Sequence, residues 1–270
     1  RVVHQEPPHK PPQRLERNIR RPAAQGIMLL AVDIGNSAIK FGVFDGQRLF
    51  TKFSVPTKSD LHSAELIAKV GNATISQALV CSVVPSVNAQ VDKFLGSTFE
   101  IDVYFVTNDM DFGLDIKYEP LAAAGTDRLV NAFSAAEKYG TPVIACSFGT
   151  ATTIDVIDKN RVLLGGLIAP GMKTMAKALH LNTAQLPEIE IDSPNSVINH
   201  TTETSIQAGV FYSQIGLVES SIARIKKEIG DNPKVIATGG FASMIAENTD
   251  VIDVVDEDLL LDGLRILAER

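Results

Sequence analysis

The sequence predicts an α/β fold built from two similar halves that face each other across a cleft. Three observations carry this: a unit near residue 33 recurs near residue 147, each copy bends at a glycine turn, and the same order of elements follows each copy. The first copy reads Leu29-Leu-Ala-Val-Asp33-Ile-Gly35-Asn36-Ser37, then an apolar alternation to Phe44, a turn at Asp45-Gly46 and a run to Val55. The second reads Val143-Ile-Ala-Cys-Ser147-Phe-Gly149-Thr150-Ala151, then Thr152 to Ile157, a turn at Asp158-Lys-Asn160 and a run from Val162. Each is a strand, a tight glycine turn with small polar side chains, and two further strands.

The elements between follow in order. A helix is expected from Ser59 to Val70, a strand at 78–84, and a helix opened by Pro85-Ser86 with Val87, Val91 and Phe94 at helical spacing. A short strand at 103–106, a loop through Tyr118-Glu119-Pro120 and a helix from Thr126-Asp127 to Tyr139 complete the first half. In the second, the glycine-rich stretch Gly165 to Gly171 opens a helix near Lys173. A long helix over 203–229 keeps one packed face through Ile206, Val210, Ile215, Val218, Ile222, Ile225 and Ile229. A strand at 234–237 ending in Thr238-Gly239-Gly240, a helix, a strand at 251–255 and a final helix close the chain. Three strands, helix, strand, helix, strand, helix, given twice, is the layout of two actin-like, ribonuclease H-like domains with an interdomain nucleotide cleft. The expected boundaries are 28–140 and 141–270.

Composition narrows the function. No apolar run approaches the roughly 20 residues that span a bilayer. Residues 1–27 hold six Lys or Arg against two Glu, so the net charge of −7 leaves −11 on the remainder. A body that acidic disfavours nucleic acid and favours small-molecule work. The first 27 residues carry five prolines and no periodicity, which predicts a disordered or non-native extension outside the fold. Cys81 and Cys146 sit inside apolar strands and read as buried, reduced thiols, which fits a cytoplasmic setting. His62, His180 and His200 lack metal-ligand spacing and read as surface or loop residues.

Three strings can carry chemistry. In Asp33-Ile-Gly35-Asn36-Ser37, Gly35 lets backbone N–H groups approach phosphate oxygens, Asn36 and Ser37 add side-chain donors, and Asp33 suits a divalent ion carrying ATP phosphates. Alone, the string equally fits a hairpin turn with a solvated Asp; the second copy turns the reading towards a phosphate clamp. Gly125-Thr126-Asp127-Arg128 stands at a helix start, where Thr126 suits the N-cap and the helix dipole favours an ionised Asp127. Capping alone also explains that string. Arg128 suits bidentate binding of a substrate carboxylate. Thr238-Gly239-Gly240 suits close approach by a nucleotide or by backbone, and such strings are weak alone. Symmetry between the copies leads one to expect a carboxylate at 147, where the chain has Ser147.

At these residues the chain resembles the type III pantothenate kinases of the actin-like ATPase superfamily, over essentially all of residues 28–270. The family's first phosphate motif, Asp-x-Gly-Asn-Thr with a lysine soon after, is matched by Asp33 to Ser37 and Lys40, and its Gly-x-Asp-Arg motif by Gly125 to Arg128. Its second phosphate motif is matched from Gly149 through Thr153. The resemblance implies transfer of the ATP γ-phosphate to the hydroxyl of pantothenate, the first step of coenzyme A synthesis. Asp127 would be the general base. Tyr118, Gly125, Thr126, Asp127, Arg128 and Thr202 would bind pantothenate, Arg128 towards its carboxylate. Asp33, Ile34, Gly35, Asn36, Ser37, Ala38, Ile39, Lys40 and Thr150 would hold ATP, with Asp33 on Mg²⁺ or another divalent ion. The resemblance further implies a homodimer and a K⁺ or NH₄⁺ ion at the acidic position here held by Ser147, which keeps an oxygen and lacks the charge. A departure there keeps a second reading in play, a weakly or non-catalytic nucleotide-binding regulatory protein of the same family.

Overall fold

A computed structural model describes residues 27–58, 61–71 and 73–270. Strands β1 (Ile27–Ile34), β2 (Ala38–Asp45), β3 (Arg48–Pro56), β4 (Thr74–Ser82) and β5 (Asp102–Phe105) form a sheet of order β3-β2-β1-β4-β5. Strands β7 (Val143–Phe148), β8 (Ala151–Ile157), β9 (Val162–Pro170), β10 (Lys234–Thr238) and β11 (Val254–Val255) repeat that order as β11-β10-β7-β8-β9. In both sheets the first strand is antiparallel to the second and parallel to the fourth. The repeat read from sequence is thus a repeat of topology. The residue-1–27 extension lies outside the described residues except Ile27, which opens β1 opposite Thr74.

Alternation along the central strands decides where the cores lie, because successive side chains point to opposite faces. In β1, Leu30, Val32 and Ile34 face a core shared with Leu66 and Val70 of α1 (Ser63–Val70) and Val91 and Leu95 of α2 (Pro85–Phe99). Leu29 and Ala31 face the other way, into a core that also takes Val143 and Ala145 of β7. The remaining β7 residues, Ile144, Cys146 and Phe148, face α4 (Met172–Asn182), α5 (Thr202–Ile229) and α6 (Ala242–Ala246). Both central strands are buried on both faces, which is why they read as nearly unbroken apolar runs.

Two helices fill the space between the sheets. Helix α3 (Thr126–Tyr139) packs on β7, β8 and β4, and α7 (Leu259–Ala268), at the far end of the chain, packs on α3, β1 and β4. The order is therefore outer helices, sheet, α3 with α7, sheet, outer helices. Helices α3 and α7 approach closely at Gly263, where an added Cβ would stand 2.8 Å from Val130 Cγ1 and 2.9 Å from Ser134 Cβ.

Several expectations are corrected. The Gly165 to Gly171 stretch does lead into a helix, α4 from Met172, but Gly165 to Pro170 are themselves strand, most of β9, where a Cβ at Gly166 would lie 1.8 Å from the Ile154 carbonyl oxygen. The loop before α3 contains a two-residue strand, β6 (Asp115–Ile116), which extends the second sheet by pairing with Val162 and Leu163 of β9. A 3₁₀ turn at Leu121–Ala123 follows it. Helix α1 begins at Ser63 rather than Ser59, residue 59 lying outside the described residues. The strand expected at 251–255 is confined to β11. Cys81 and Cys146 are free and buried, and burial pushes both thiols up.

The α3–α7 contact gives a direct test. Gly263→Ala crowds the turn carrying Val130 and Ser134 and should destabilise the protein by about 1–3 kcal/mol, as overpacking in a filled core does. Thermal unfolding of the variant beside the unaltered protein reads this, and an unchanged Tm would mean the helices do not meet there.

Candidate active site

The two glycine turns meet. The first closes with Gly35 N donating to the Ala38 carbonyl at 3.0 Å and the second with Gly149 N donating to the Ala151 carbonyl at 3.0 Å. Their tips touch through the hydroxyls of Ser37 and Thr150, 3.0 Å apart although the residues are 113 positions apart in sequence. The second turn is one residue shorter, since β7 ends at Phe148 and β8 begins at Ala151, so Thr150 stands opposite Ser37 rather than replacing Asn36.

Each turn is braced from outside. Thr57, just beyond β3, donates its hydroxyl to the Gly35 carbonyl at 2.6 Å and its N–H to the Ser37 carbonyl. Around the second turn, Gly171 N and the Thr174 hydroxyl both reach the Thr150 carbonyl, at 3.0 and 2.6 Å. A Cβ at Gly171 would stand 2.1 Å from the Gly149 oxygen, and one at Gly239 would stand 2.6 Å from the Phe148 oxygen. Gly239 also has φ +96°, a conformation side-chain-bearing residues rarely adopt. The Thr238-Gly239-Gly240 string therefore serves close backbone packing against the second turn. Close approach by backbone was one of the two readings of that string; Thr57, Gly171 and Thr174 were not singled out from sequence as braces.

Within the first turn the structure separates two kinds of residue. Ile34 and Ile39 are buried in the first core, and the side chains of Asn36, Ser37 and Lys40 are exposed. Asp33, only 8% exposed, lies cross-strand from Lys40, whose Nζ stands 3.7 Å from its carboxylate. Burial pushes Asp33 up to about 6; Lys40 pulls it down, and the Asp127 charge pushes it further up.

Asp127 projects from the first turn of α3. Its Oδ1 accepts the Arg128 N–H at 2.8 Å, and a Cβ at Gly125 would come within 2.6 Å of that oxygen, so the carboxylate folds back over Gly125 and a side chain there would displace it. Burial raises the Asp127 pKa against the pull of the Arg128 amide and guanidinium. Thr126 is not the N-cap expected of it. Gly125 occupies that position, and the Thr126 hydroxyl donates to the Ser82 carbonyl at the end of β4, 3.1 Å away.

Arg128 has a partner the sequence reading did not name. Its Nε lies 3.1 Å and its Nη2 2.5 Å from Oδ1 of Asp155, on β8, while Nη1 donates to the Tyr118 hydroxyl at 3.2 Å. The Tyr118 ring lies 5.1 Å from the guanidinium carbon, a cation–π contact. Burial raises Asp155 to about 6 even with Arg128 beside it, and Asp127 adds to the rise. An aspartate inside the strand Thr152-Thr-Ile-Asp155-Val-Ile157 was the available signal, since a buried carboxylate demands a partner.

The structure thus brings Asp33, Asp127, Arg128 and Tyr118 into one electrostatically linked cluster around the turns. Ser147 lies on β7 in register with Thr153 and Thr238, giving three hydroxyl residues abreast. Thr202 stands elsewhere: it opens α5 and lines a cavity of about 900 Å³ between α4 and α5. His62 and His200 are exposed, and His180 Nδ1 lies 2.9 Å from the Leu186 carbonyl, in keeping with their structural reading. Among the described residues no group of three His, Cys, Asp or Glu could hold a metal ion unaided. A divalent ion here would share its coordination with phosphate oxygens, the usual arrangement for Mg²⁺. A buried Asp33 carboxylate beside the first turn, with only an exposed lysine 3.7 Å away to match its charge, fits that ion.

A profile of the family described as type III pantothenate kinase matches residues 29–224. The chain is 38% identical over 252 residues to the type III pantothenate kinase of Citrifermentans bemidjiense, covering 90% of this chain and 99% of that one. It is 40% identical over 253 residues to that of Agathobacter rectalis, covering 90% and 97%. Among solved structures, a protein described as a conserved Baf family transcriptional activator from Campylobacter jejuni superposes with a TM-score of 0.57 at 20% identity, covering 88% of this chain and 96% of that one. Ethanolamine utilization protein EutJ from Carboxydothermus hydrogenoformans superposes at 0.52 with 17% identity, covering 93% and 91%. At such identities these two establish the fold alone, the actin-like one expected. Matched over most of its length by the family profile and by relatives of near-equal length, the chain belongs to the type III pantothenate kinase family.

Proposed function

We propose that the protein transfers the ATP γ-phosphate to the primary hydroxyl of pantothenate, and that Asp127 is the base that receives the hydroxyl proton. The observation that carries this is the contact of the Ser37 and Thr150 tips beside a cluster holding both an acidic and a basic side chain. Phosphoryl transfer asks the protein for positioning and charge stabilisation more than for covalent chemistry. The turns and Lys40 would hold the phosphates. Asp33 would hold the divalent ion, which when bound neutralises phosphate charge. Asp127, raised by burial, suits proton acceptance from an alcohol. Tyr118, Gly125, Thr126 and Arg128 surround it and would orient pantothenate. Nothing in the fold or the comparisons favours the regulatory alternative.

Three further points belong to the same reading. Ser147, Thr153 and Thr238 offer hydroxyl oxygens but no charge, so turnover should not require potassium or ammonium. A homodimer would cover exposed Leu164 and Ile168 of β9 and Leu181 of α4, and would close the cavity that contains Thr202. A cytoplasmic setting accords with two free thiols.

Steady-state assays with ATP, Mg²⁺ and pantothenate, with KCl titrated from zero, should show turnover that stays level with potassium. Asp127→Asn should lower kcat by about 10²–10⁴-fold, the range for a general base. Turnover that appears only with potassium would overturn the ion reading alone, and no turnover under any condition would overturn the kinase. Light scattering should give the mass of two chains; a single-chain mass would remove the dimer.

Asp33 should show the cost of its position. Folding raises it from about 3.8 to about 6, so the folded state keeps a proton that the unfolded chain has already lost between those values. Stability from this group therefore falls as pH rises through that window, by about 3 kcal/mol at 1.36 kcal/mol per unit. Asp33→Asn should consequently raise Tm at pH 7.5, lose that gain near pH 4, and abolish turnover. A variant whose Tm falls equally at both pH values would show that Asp33 is not held at a raised pKa.

A further inference from the structure

We infer that Asp155 is a positioning residue for the acceptor substrate: it clamps one edge of the Arg128 guanidinium so that a second edge is presented to the pantothenate carboxylate. This rests on the pantothenate reading above and deepens it.

The argument is a count of donors. A guanidinium carries five N–H groups in a rigid fork and accepts nothing. Asp155 takes the Nε hydrogen and one from Nη2, and the Tyr118 hydroxyl takes one from Nη1. One hydrogen on each terminal nitrogen is left. Those two suffice for a single bidentate carboxylate. An arginine without its clamp could turn about its long stem and offer any edge; here the side chain is held on three sides.

The clamp is itself rigid. Asp155 is 3% exposed and Arg128 7%, so neither is loosened by solvent. Asp155 sits in register with Ala145 on one side and Gly166 on the other, at the centre of the second sheet. At Gly166 an added Cβ would lie 3.0 Å from the Asp155 Cα, so the two strands touch through backbone. The stacked Tyr118 ring closes a further side of the guanidinium. Asp155 touches no substrate in this scheme. It acts through Arg128, and what it governs is acceptor binding rather than phosphoryl transfer.

Steady-state kinetics with each substrate varied in turn test this. In Asp155→Asn the shape is kept and the charge is lost; KM for pantothenate should rise about 10–100-fold, the scale on which a misplaced positioning group acts. KM for ATP and kcat at saturating pantothenate should stay at their unaltered values, the pattern of lost uniform binding. An unchanged pantothenate KM, a fall in kcat alone, or a parallel rise in both KM values would overturn the inference, the last because it marks general loss of structure. If Asp155→Asn gives no folded protein, Arg128→Lys decides. Lysine keeps the charge and can still pair with Asp155, but it has no second edge to present. Its pantothenate KM should rise with ATP KM unchanged, and a wild-type pantothenate KM would sink the inference. No turnover of pantothenate by the unaltered protein would remove the kinase reading and this inference with it.

Discussion

Helix α3 is wedged between two sheets, and its first turn is tied to both of them. The Thr126 hydroxyl ties its first turn to Ser82 at the end of β4, and Arg128 ties the next position to Asp155 on β8. One helical turn thus carries a bond to each sheet. The central strands β1 and β7 end beside it, at the two glycine turns. Moving either sheet relative to the other must strain one of these tethers. Leu129, Val130, Ala132, Phe133, Ala135 and Ala136 are all enclosed, Glu137 and Lys138 at the far end are exposed, and in the first turn Asp127 alone is half-buried between buried Thr126 and Arg128.

Symmetry explains the frame, and its breaches locate the chemistry. The paired strand orders give each half a turn at the end of its first strand, and the Ser37–Thr150 contact brings the pair together. A perfectly symmetric molecule would place like charges at both strand ends. Instead Asp33 ends the first copy with Lys40 opposite, while Ser147 stands in the second among hydroxyls. In the second copy a buried carboxylate appears instead on the next strand, β8, at Asp155, where Arg128 already pairs with it.

The sequence made legible whatever depends on periodicity. Strands β1 and β7 were readable because burial on both faces imposes apolar residues at nearly every position. Helix α5 was readable because one face of its 28 residues packs. Features that depend on distant partners were not. Two residues at 115–116 become a strand solely because β9 offers an edge. Gly165 and Gly166 look like a loop. Gly166 is glycine because β8 passes too close for a side chain, whereas Gly165 meets nothing there and owes its type to a φ of +110°. Thr126 has the residue type of a cap, and its hydroxyl is drawn off to Ser82 by a strand 44 positions away. The site was visible as short strings at 33–37, 125–128 and the second turn; their assembly, and Asp155 as the partner of Arg128, came from long-range pairing that no local pattern records.

The cluster is electrostatically unfavourable as it stands, and that is informative. Asp33, Asp127 and Asp155 share a poorly solvated region in which burial pushes Asp33 and Asp155 to about 6 and the Asp127 charge adds to both rises. Lys40 and Arg128 offset part of this, but Lys40 is largely exposed and stands 3.7 Å from its partner. A fold selected for stability alone would replace Asp33 by a neutral residue at no packing cost, since burying an unmatched charge is costly. Retaining it makes sense if something positive arrives with the substrate. The same logic separates the carboxylates by role. Asp155 has its cation built in and is spent on holding it, Asp33 has a distant one and is open to a metal, and Asp127 has only an adjacent amide and the far side of Arg128. On the proposed reading Asp127, half-buried and without an ion-pair partner of its own, would be the carboxylate that takes the proton.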